Sequence, residues 1–268
     1  MFGSLESLPL QTFIEQERAD DHLWMFLHIP KTAGSSFGAE LAKARAPYRN
    51  IHINYLDKDI PARKQMDSSI QSFIQELSGK AFRSCSGHFN ISQANQIAES
   101  FPSTRLMTFL RNPVKRLISD YRYARTPAHP PHLEFIARFP TLEAYVDAPE
   151  SQNKMFKLLI AKSNAGISEA TEYLDQRYSF IGVVEMYPMS FNVISRLFGQ
   201  NEMPSVHKRR TEATQDNIVE VTAPLQRRIQ ETNWKDAAIY SHVRDRLSAK
   251  REEWLAMRRG QSRAVSPA

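Results

Sequence analysis

Short apolar runs alternate along this chain with stretches whose apolar residues return every three or four positions. Leu23-Trp24-Met25-Phe26-Leu27 is continuous and apolar, and Phe37 and Leu41 follow one helical turn apart. The run Leu106 to Leu110 is followed by Val114, Leu117, Ile118 and Tyr121 at helical spacing. Ala81 to Ser86 and Tyr178 to Val184 are two more strand-like runs. The second leads through Pro188 into a helix bearing Phe191, Ile194 and Phe198, with Gly199 as its stop. Ile70, Phe73, Ile74 and Leu77 predict an amphipathic helix over Asp67 to Leu77, and Ser92 a capped helix to Glu99. Thr126 to Pro140 reads as a loop, Thr141 to Val146 as a short helix, and the chain from Pro224 onward as mainly helical and charged. Strands that feed helices in this way predict an α/β fold with a P-loop-like central parallel sheet flanked by helices.

Between the first strand and its helix lies His28-Ile29-Pro30-Lys31-Thr32-Ala33-Gly34-Ser35-Ser36. A strand entering a helix through small and hydroxyl residues presents unpaired N–H groups to an anion, and the lysine adds a mobile charge. A nucleotide-hydrolysing P-loop has its glycines before the lysine and a hydroxyl just after it for magnesium. Here Lys31 comes first and Gly34 follows, so the usual magnesium position is not evident.

Thr104 to Arg125 repeats the arrangement. Arg111 ends the strand, Asn112 can cap the helix, and Pro113 suits the first helical position. Ser119 falls two turns in. Ligands of open α/β sheets bind outside the carboxyl ends of the strands, and arginine's planar fork suits a phosphate there.

HIPKTAGSS resembles the 5′-phosphosulfate motif of sulfotransferases, and RNPVKRLISDY resembles their 3′-phosphate motif. The nearer branch contains the heparan sulfate 2-O-sulfotransferases and carbohydrate sulfotransferases. The likeness continues through Ser86-Gly87-His88, Asn153 and Ile181 to Glu185, spanning about Leu23 to Gly199. It implies 3′-phosphoadenosine 5′-phosphosulfate (PAPS) as co-substrate and a hydroxyl-bearing acceptor, in this branch a carbohydrate or glycoconjugate. Lys31, Thr32, Ala33, Gly34, Ser35 and Ser36 would hold the 5′-phosphosulfate, the hydroxyls of Thr32, Ser35 and Ser36 included. Arg111 and Ser119 would hold the 3′-phosphate. Lys31 would stabilise charge on the leaving oxygen during in-line transfer, and His88 would take the acceptor proton. The 2-O-sulfotransferase pattern carries a second histidine two residues before His88, where this chain has Ser86.

His28 reads as structural, His52, His129 and His132 as solvated loop residues, and Glu185 as a buried polar contact. No spacing of histidines or cysteines supplies a metal ligand set. The basic run His207-Lys208-Arg209-Arg210 reads as a solvated loop, with a 3′-phosphate contact as its alternative.

With 268 residues, 41% of them hydrophobic, the chain can bury one α/β core with a small helical annex. Residues 1–20 read as an N-terminal extension, 21–257 as the sulfotransferase domain and 258–268 as a disordered basic tail. Thirty-five Lys and Arg against 29 Asp and Glu give +6, which favours anionic ligands. The basic residues show no aromatic-interleaved face, so nucleic acid is not an expected partner. One cysteine, Cys85, precludes an internal disulfide. Animal relatives of this branch carry an N-terminal membrane helix; this sequence shows no membrane span or signal layout, which leads to a soluble cytoplasmic protein as the expectation. Two other functions fit the same cradle: a nucleotide-dependent kinase, with Asp120 as the carboxylate near the turn, and a non-catalytic nucleotide-binding protein.

Overall fold

The computed structural model describes residues 1–264 apart from 19–20, 56, 58, 130, 163 and 207–216. The basic run His207 to Arg210 lies outside the described residues. Helix α1 (Leu10–Glu17) comes first. Four strand–helix units follow: β1 (Trp24–Leu27) with α2 (Gly34–Ala44), β2 (Tyr48–Ile51) with α3 (Ala62–Leu77), β3 (Ser84–Gly87) with α4 (Ile91–Ser100), and β4 (Arg105–Leu110) with α5 (Pro113–Ala124). Helices α6 (His132–Arg138), α7 (Leu142–Asp147), α8 (Lys154–Leu159) and α9 (Ile167–Arg177) then lead to β5 (Phe180–Val183). After it come α10 (Tyr187–Leu197), α11 (Ala223–Thr232), α12 (Trp234–Ala249) and α13 (Arg251–Ala264).

The sheet has the order β2-β3-β1-β4-β5, and every pair is parallel. A central strand in such a sheet is covered on both faces, which explains why β1 is apolar throughout and fully buried. Phe26 lies 4.7 Å from Phe37 on α2, and Phe37 lies 6.2 Å from Phe191 on α10, so both helices cover one face. From β1 the chain passes outward to β2; from β4 it leaves in the opposite direction to β5. The switch in direction therefore falls between β1 and β4, where ligands of such sheets bind.

A parallel α/β sheet flanked by helices is thus observed, with four local differences from the sequence pattern. Strand β2, Tyr-Arg-Asn-Ile, is an edge strand in which only Ile51 is buried, so no apolar run announces it. Within the expected loop Thr126 to Pro140 lies α6, a helix of 7 residues none of which is fully buried. Phe2, Leu5, Leu10 and Phe13 are fully buried in the main core, and Phe2 and Phe13 both meet Phe180 on β5. Residues 2–14 therefore pack against the sheet. At the other end α13 runs through Ala264, into the segment assigned to the tail.

A second, smaller cluster joins α5, α7 and α11 through Leu117, Tyr121, Tyr145, Val146 and Ile229, forming a helical annex beside the sheet. Beside it, the starts of α8 and α12 lock to each other. Asp236, fully buried, accepts the N–H groups of Met155 and Phe156 at 3.2 and 2.7 Å, and Asn153 accepts those of Lys235 and Asp236. Each side chain caps the other's helix and satisfies donors that have no partner within it. No described helix is long and apolar enough to cross a membrane.

Asp236→Ala should lower unfolding stability by about 2 kcal/mol, the upper end for a helix cap, because two buried N–H groups lose their acceptor. Urea denaturation of the two proteins checks this.

Candidate active site

Strands β1 and β3 end in register, Leu27 opposite Gly87, so His28 and His88 leave the sheet side by side. The His28 N–H donates to the Gly87 carbonyl at 2.9 Å. His88 Nδ1 lies 2.8 Å from the His28 carbonyl oxygen, and the two rings lie 4.1 Å apart. A carbonyl only accepts, so Nδ1 carries the proton and the Nε2 lone pair of His88 is left for other work. Its ring is open to solvent on the crevice side. Desolvation lowers the His88 pKa below 6.5; the His28 carbonyl and Asp120 oppose the shift. His28 is pushed well below 6.5 by burial first, then by His88 and Lys31. Stacked at 5.5 Å on Phe26, His28 is a neutral floor beneath His88.

The turn after β1 rests on that floor. A Cβ on Gly34 would come within 1.8 Å of the His28 ring, which Phe26 and His88 hold from two sides. Only glycine fits there. Lys31 (φ 69°) and Ala33 (φ 63°) take the left-handed conformation, costing on the order of 1–3 kcal/mol each. Left- and right-handed residues in succession turn neighbouring N–H groups toward one point, an anion-binding nest. The first helical N–H of α2 to find an acceptor is that of Ser36, which bonds the Ala33 carbonyl at 3.1 Å. The amides of Gly34 and Ser35 therefore face the nest at the helix start. Ser35 is exposed and Ser36 buried. Thr32 departs from the sequence reading: its hydroxyl is buried and donates to the Ile29 carbonyl at 2.8 Å, so it closes the turn and does not point at a ligand.

Arg111 reaches this turn from β4. Its Nη1 donates to the Lys31 carbonyl oxygen at 3.0 Å, bringing the second motif onto the first. Asn112 caps α5 by accepting the Lys115 N–H at 3.1 Å. Exposed Glu185, after β5, accepts the Asn112 N–H at 3.1 Å, which makes it a polar contact at the surface. Ser119 and Tyr123 lie four residues apart on one face of α5. Lys31 Nζ lies 4.0 Å from the centre of the Tyr123 ring, so that face is the one turned toward the crevice.

Asp120, the residue after Ser119, is engaged by partners of its own. Arg116, Lys154 and the Tyr145 hydroxyl approach it at 3.2, 2.8 and 2.9 Å. Burial alone would raise its pKa, but Lys154 and Arg116 outweigh it and hold the carboxyl at about 2.

Two residues stand beside the Lys31 turn where the sequence pattern did not place them: Tyr123, which it did not single out, and His129, read as a solvated loop residue. His129 meets Tyr123 at 5.7 Å. The one readable signal was the four-residue step from Ser119 to Tyr123. Ser86, in place of a second histidine, is buried and bonded to the Tyr48 hydroxyl at 2.6 Å. Asn153, read with the motifs, caps α12 and has a structural role. Buried Glu40 on α2 accepts the N–H groups of Ser205 and Val206, tying the chain just before His207 to the helix of the nest.

A parallel sheet with basic turns after β1 and β4, on either side of its switch point, defines a P-loop-like α/β protein. A profile of the sulfotransferase family matches residues 17–242, and the chain belongs to that family. It is a PAPS-dependent sulfotransferase. The chain is also similar to the crystal structure of mouse sulfotransferase SULT7A1 complexed with PAP, at 13% identity and a TM-score of 0.45 over 86% of each chain. No curated protein matches it.

The depressed pKa of Asp120, about 2 against 3.8, means that this group contributes stability above the unfolded value and loses it as pH falls through the folded one. About 2 kcal/mol should disappear between about pH 4 and about pH 2. Urea denaturation across that range should show the loss in the wild type and not in Asp120→Asn.

Proposed function

We propose that Lys31, Ser35, Ser36 and the amides from Thr32 to Ser36, Ala33 and Gly34 among them, hold the 5′-phosphosulfate of PAPS. Arg111 and Ser119 hold its 3′-phosphate, and His88 is the base. The observation that carries this reading is the 3.0 Å bond from Arg111 to the Lys31 carbonyl, which sets two cationic grips at adjoining strand ends. Strand order supports a division of labour: β3 with His88 lies on one side of β1, and β4 with Arg111 on the other. The donor's adenylate would then extend toward β4 while the acceptor approaches from β3.

In this arrangement the acceptor oxygen attacks sulfur, forming the new S–O bond as the S–O bond to the 5′-phosphate breaks. The leaving group is adenosine 3′,5′-bisphosphate. Nε2 of His88 takes the acceptor proton. Charge grows on the departing phosphate oxygen, where the Lys31 ammonium and the turn's amides stabilise it more than they do the ground state. A kinase using this cradle would need carboxylates for magnesium, and Asp120 is already engaged by Arg116, Lys154 and Tyr145.

For the acceptor we infer a carbohydrate or glycoconjugate hydroxyl. The resemblance to carbohydrate sulfotransferases supports it, as do the tyrosine and histidine rings at the crevice, each an apolar face with a polar edge. Labelled PAPS with a panel of carbohydrate, lipid and phenolic acceptors tests the choice; transfer confined to phenols would refute it.

Arg111→Ala should weaken binding of adenosine 3′,5′-bisphosphate about 10- to 100-fold in calorimetric titration, the value of a charged hydrogen-bonded contact. Lys31→Ala should cut transfer by about 10²–10³-fold while that affinity changes far less.

Because His88 works in its neutral form and its pKa lies below 6.5, transfer should be level above pH 6.5 and fall as pH drops through the lowered value. A plot of kcat/KM against pH reads this, and His88→Ala should remove the acidic limb together with about 10²-fold or more of the rate.

A further inference from the structure

The turn after α5 is held unusually firmly for a surface segment. The Tyr123 hydroxyl donates to the Ala128 carbonyl at 3.1 Å, and Thr126 returns two bonds to the Tyr123 carbonyl, from its N–H at 3.0 Å and its hydroxyl at 2.8 Å. The His129 N–H then donates to the Thr126 carbonyl at 2.9 Å. These bonds press the His129 ring against Tyr123, 5.7 Å away, while Phe135 closes it edge-on at 6.4 Å. The same Tyr123 ring carries the Lys31 ammonium at 4.0 Å. His129 is therefore one aromatic ring removed from the lysine proposed to meet the reacting group.

Its electrostatic surroundings place it with His88. Asp120 acts on both imidazoles, and Lys31, Lys154 and His132 also act on His129. Two imidazoles from different loops, exposed His88 from beyond β3 and half-buried His129 from beyond α5, thus share the influence of Asp120.

We propose that His129 contacts the acceptor, hydrogen-bonding the sugar next to the hydroxyl whose proton His88 takes. This rests on the donor site proposed above. The rigid turn lets the contact form without ordering a loop, so its binding energy is not spent on loop entropy. The edge of the His129 ring offers a polar atom that can exchange a hydrogen bond with a sugar hydroxyl.

The test uses the full chain, with chemically desulfated heparin as acceptor and 4-nitrophenol as a phenolic control. His129→Ala should lower kcat/KM for the polysaccharide about tenfold, the worth of one hydrogen bond to a polar ligand. His129→Gln, which keeps a polar end, should recover part of it. The Kd for adenosine 3′,5′-bisphosphate should stay within about twofold of wild type in both variants, which also reports that they fold. Wild-type kcat/KM in His129→Ala overturns the proposal; so does a parallel loss of bisphosphate affinity, which would mark a structural role. A wild type that binds the bisphosphate but sulfates neither acceptor would refute the acceptor site, His129 included. Failure to bind the bisphosphate would instead remove the donor reading beneath it.

Discussion

A single bond, from the Arg111 guanidinium to the Lys31 carbonyl, joins the two halves of this molecule that matter for chemistry. Parallel strands β1 and β4 bring the two loops together, but adjacency alone would not hold the Lys31 turn. Two of its residues sit in the left-handed region, and such a backbone persists only where its surroundings impose it. Arg111 imposes it from β4, the Thr32 hydroxyl from within and the His28 ring from below. The turn is in this way made rigid before any ligand arrives, so its N–H groups need not be reorganised when charge develops beside them.

That rigidity is continuous with the hydrophobic core. Phe26 on the central strand stacks on His28, and His28 stacks on His88, so the ring proposed as base ends a column rooted in the sheet. Desolvation is the largest influence on both histidines and keeps both neutral at physiological pH. For His28 this avoids a buried charge under the nest. For His88 it leaves a lone pair ready, with the His28 carbonyl fixing which nitrogen bears it.

Acidic residues around the crevice are spent on scaffolding. Asp120 gathers Arg116, Lys154 and Tyr145; Glu185 holds the start of α5; Asp236 caps α8; Glu40 anchors residues 205 and 206. These carboxylates are turned to N–H groups and cations, while Lys31 and Arg111 meet at the strand ends. A donor carrying an anion at each end matches that distribution of charge.

Buried strands and capped helices were readable along the chain because their physics is local. The apolar run before Lys31, the Asn112-Pro113 helix start and the period from Val114 to Tyr121 each require only near neighbours. The same holds for both anion-binding turns, whose residue types follow from backbone approach and charge. Other features depended on partners far along the chain. Strand β2 exists because β3 lies beside it, and α6 is a short helix with no fully buried residue. The N-terminal phenylalanines find their core at β5, some 170 residues on. His129 looked like one more loop histidine until tertiary contacts seated it on Tyr123, and Thr32 looked like a ligand hydroxyl until Ile29 claimed it. Sequence by itself determined which side chains could grip an anion and where the strands that carry them begin. Only the folded chain decided which of those groups share a crevice, since strand order and hydrogen-bond direction are set by contacts between distant segments.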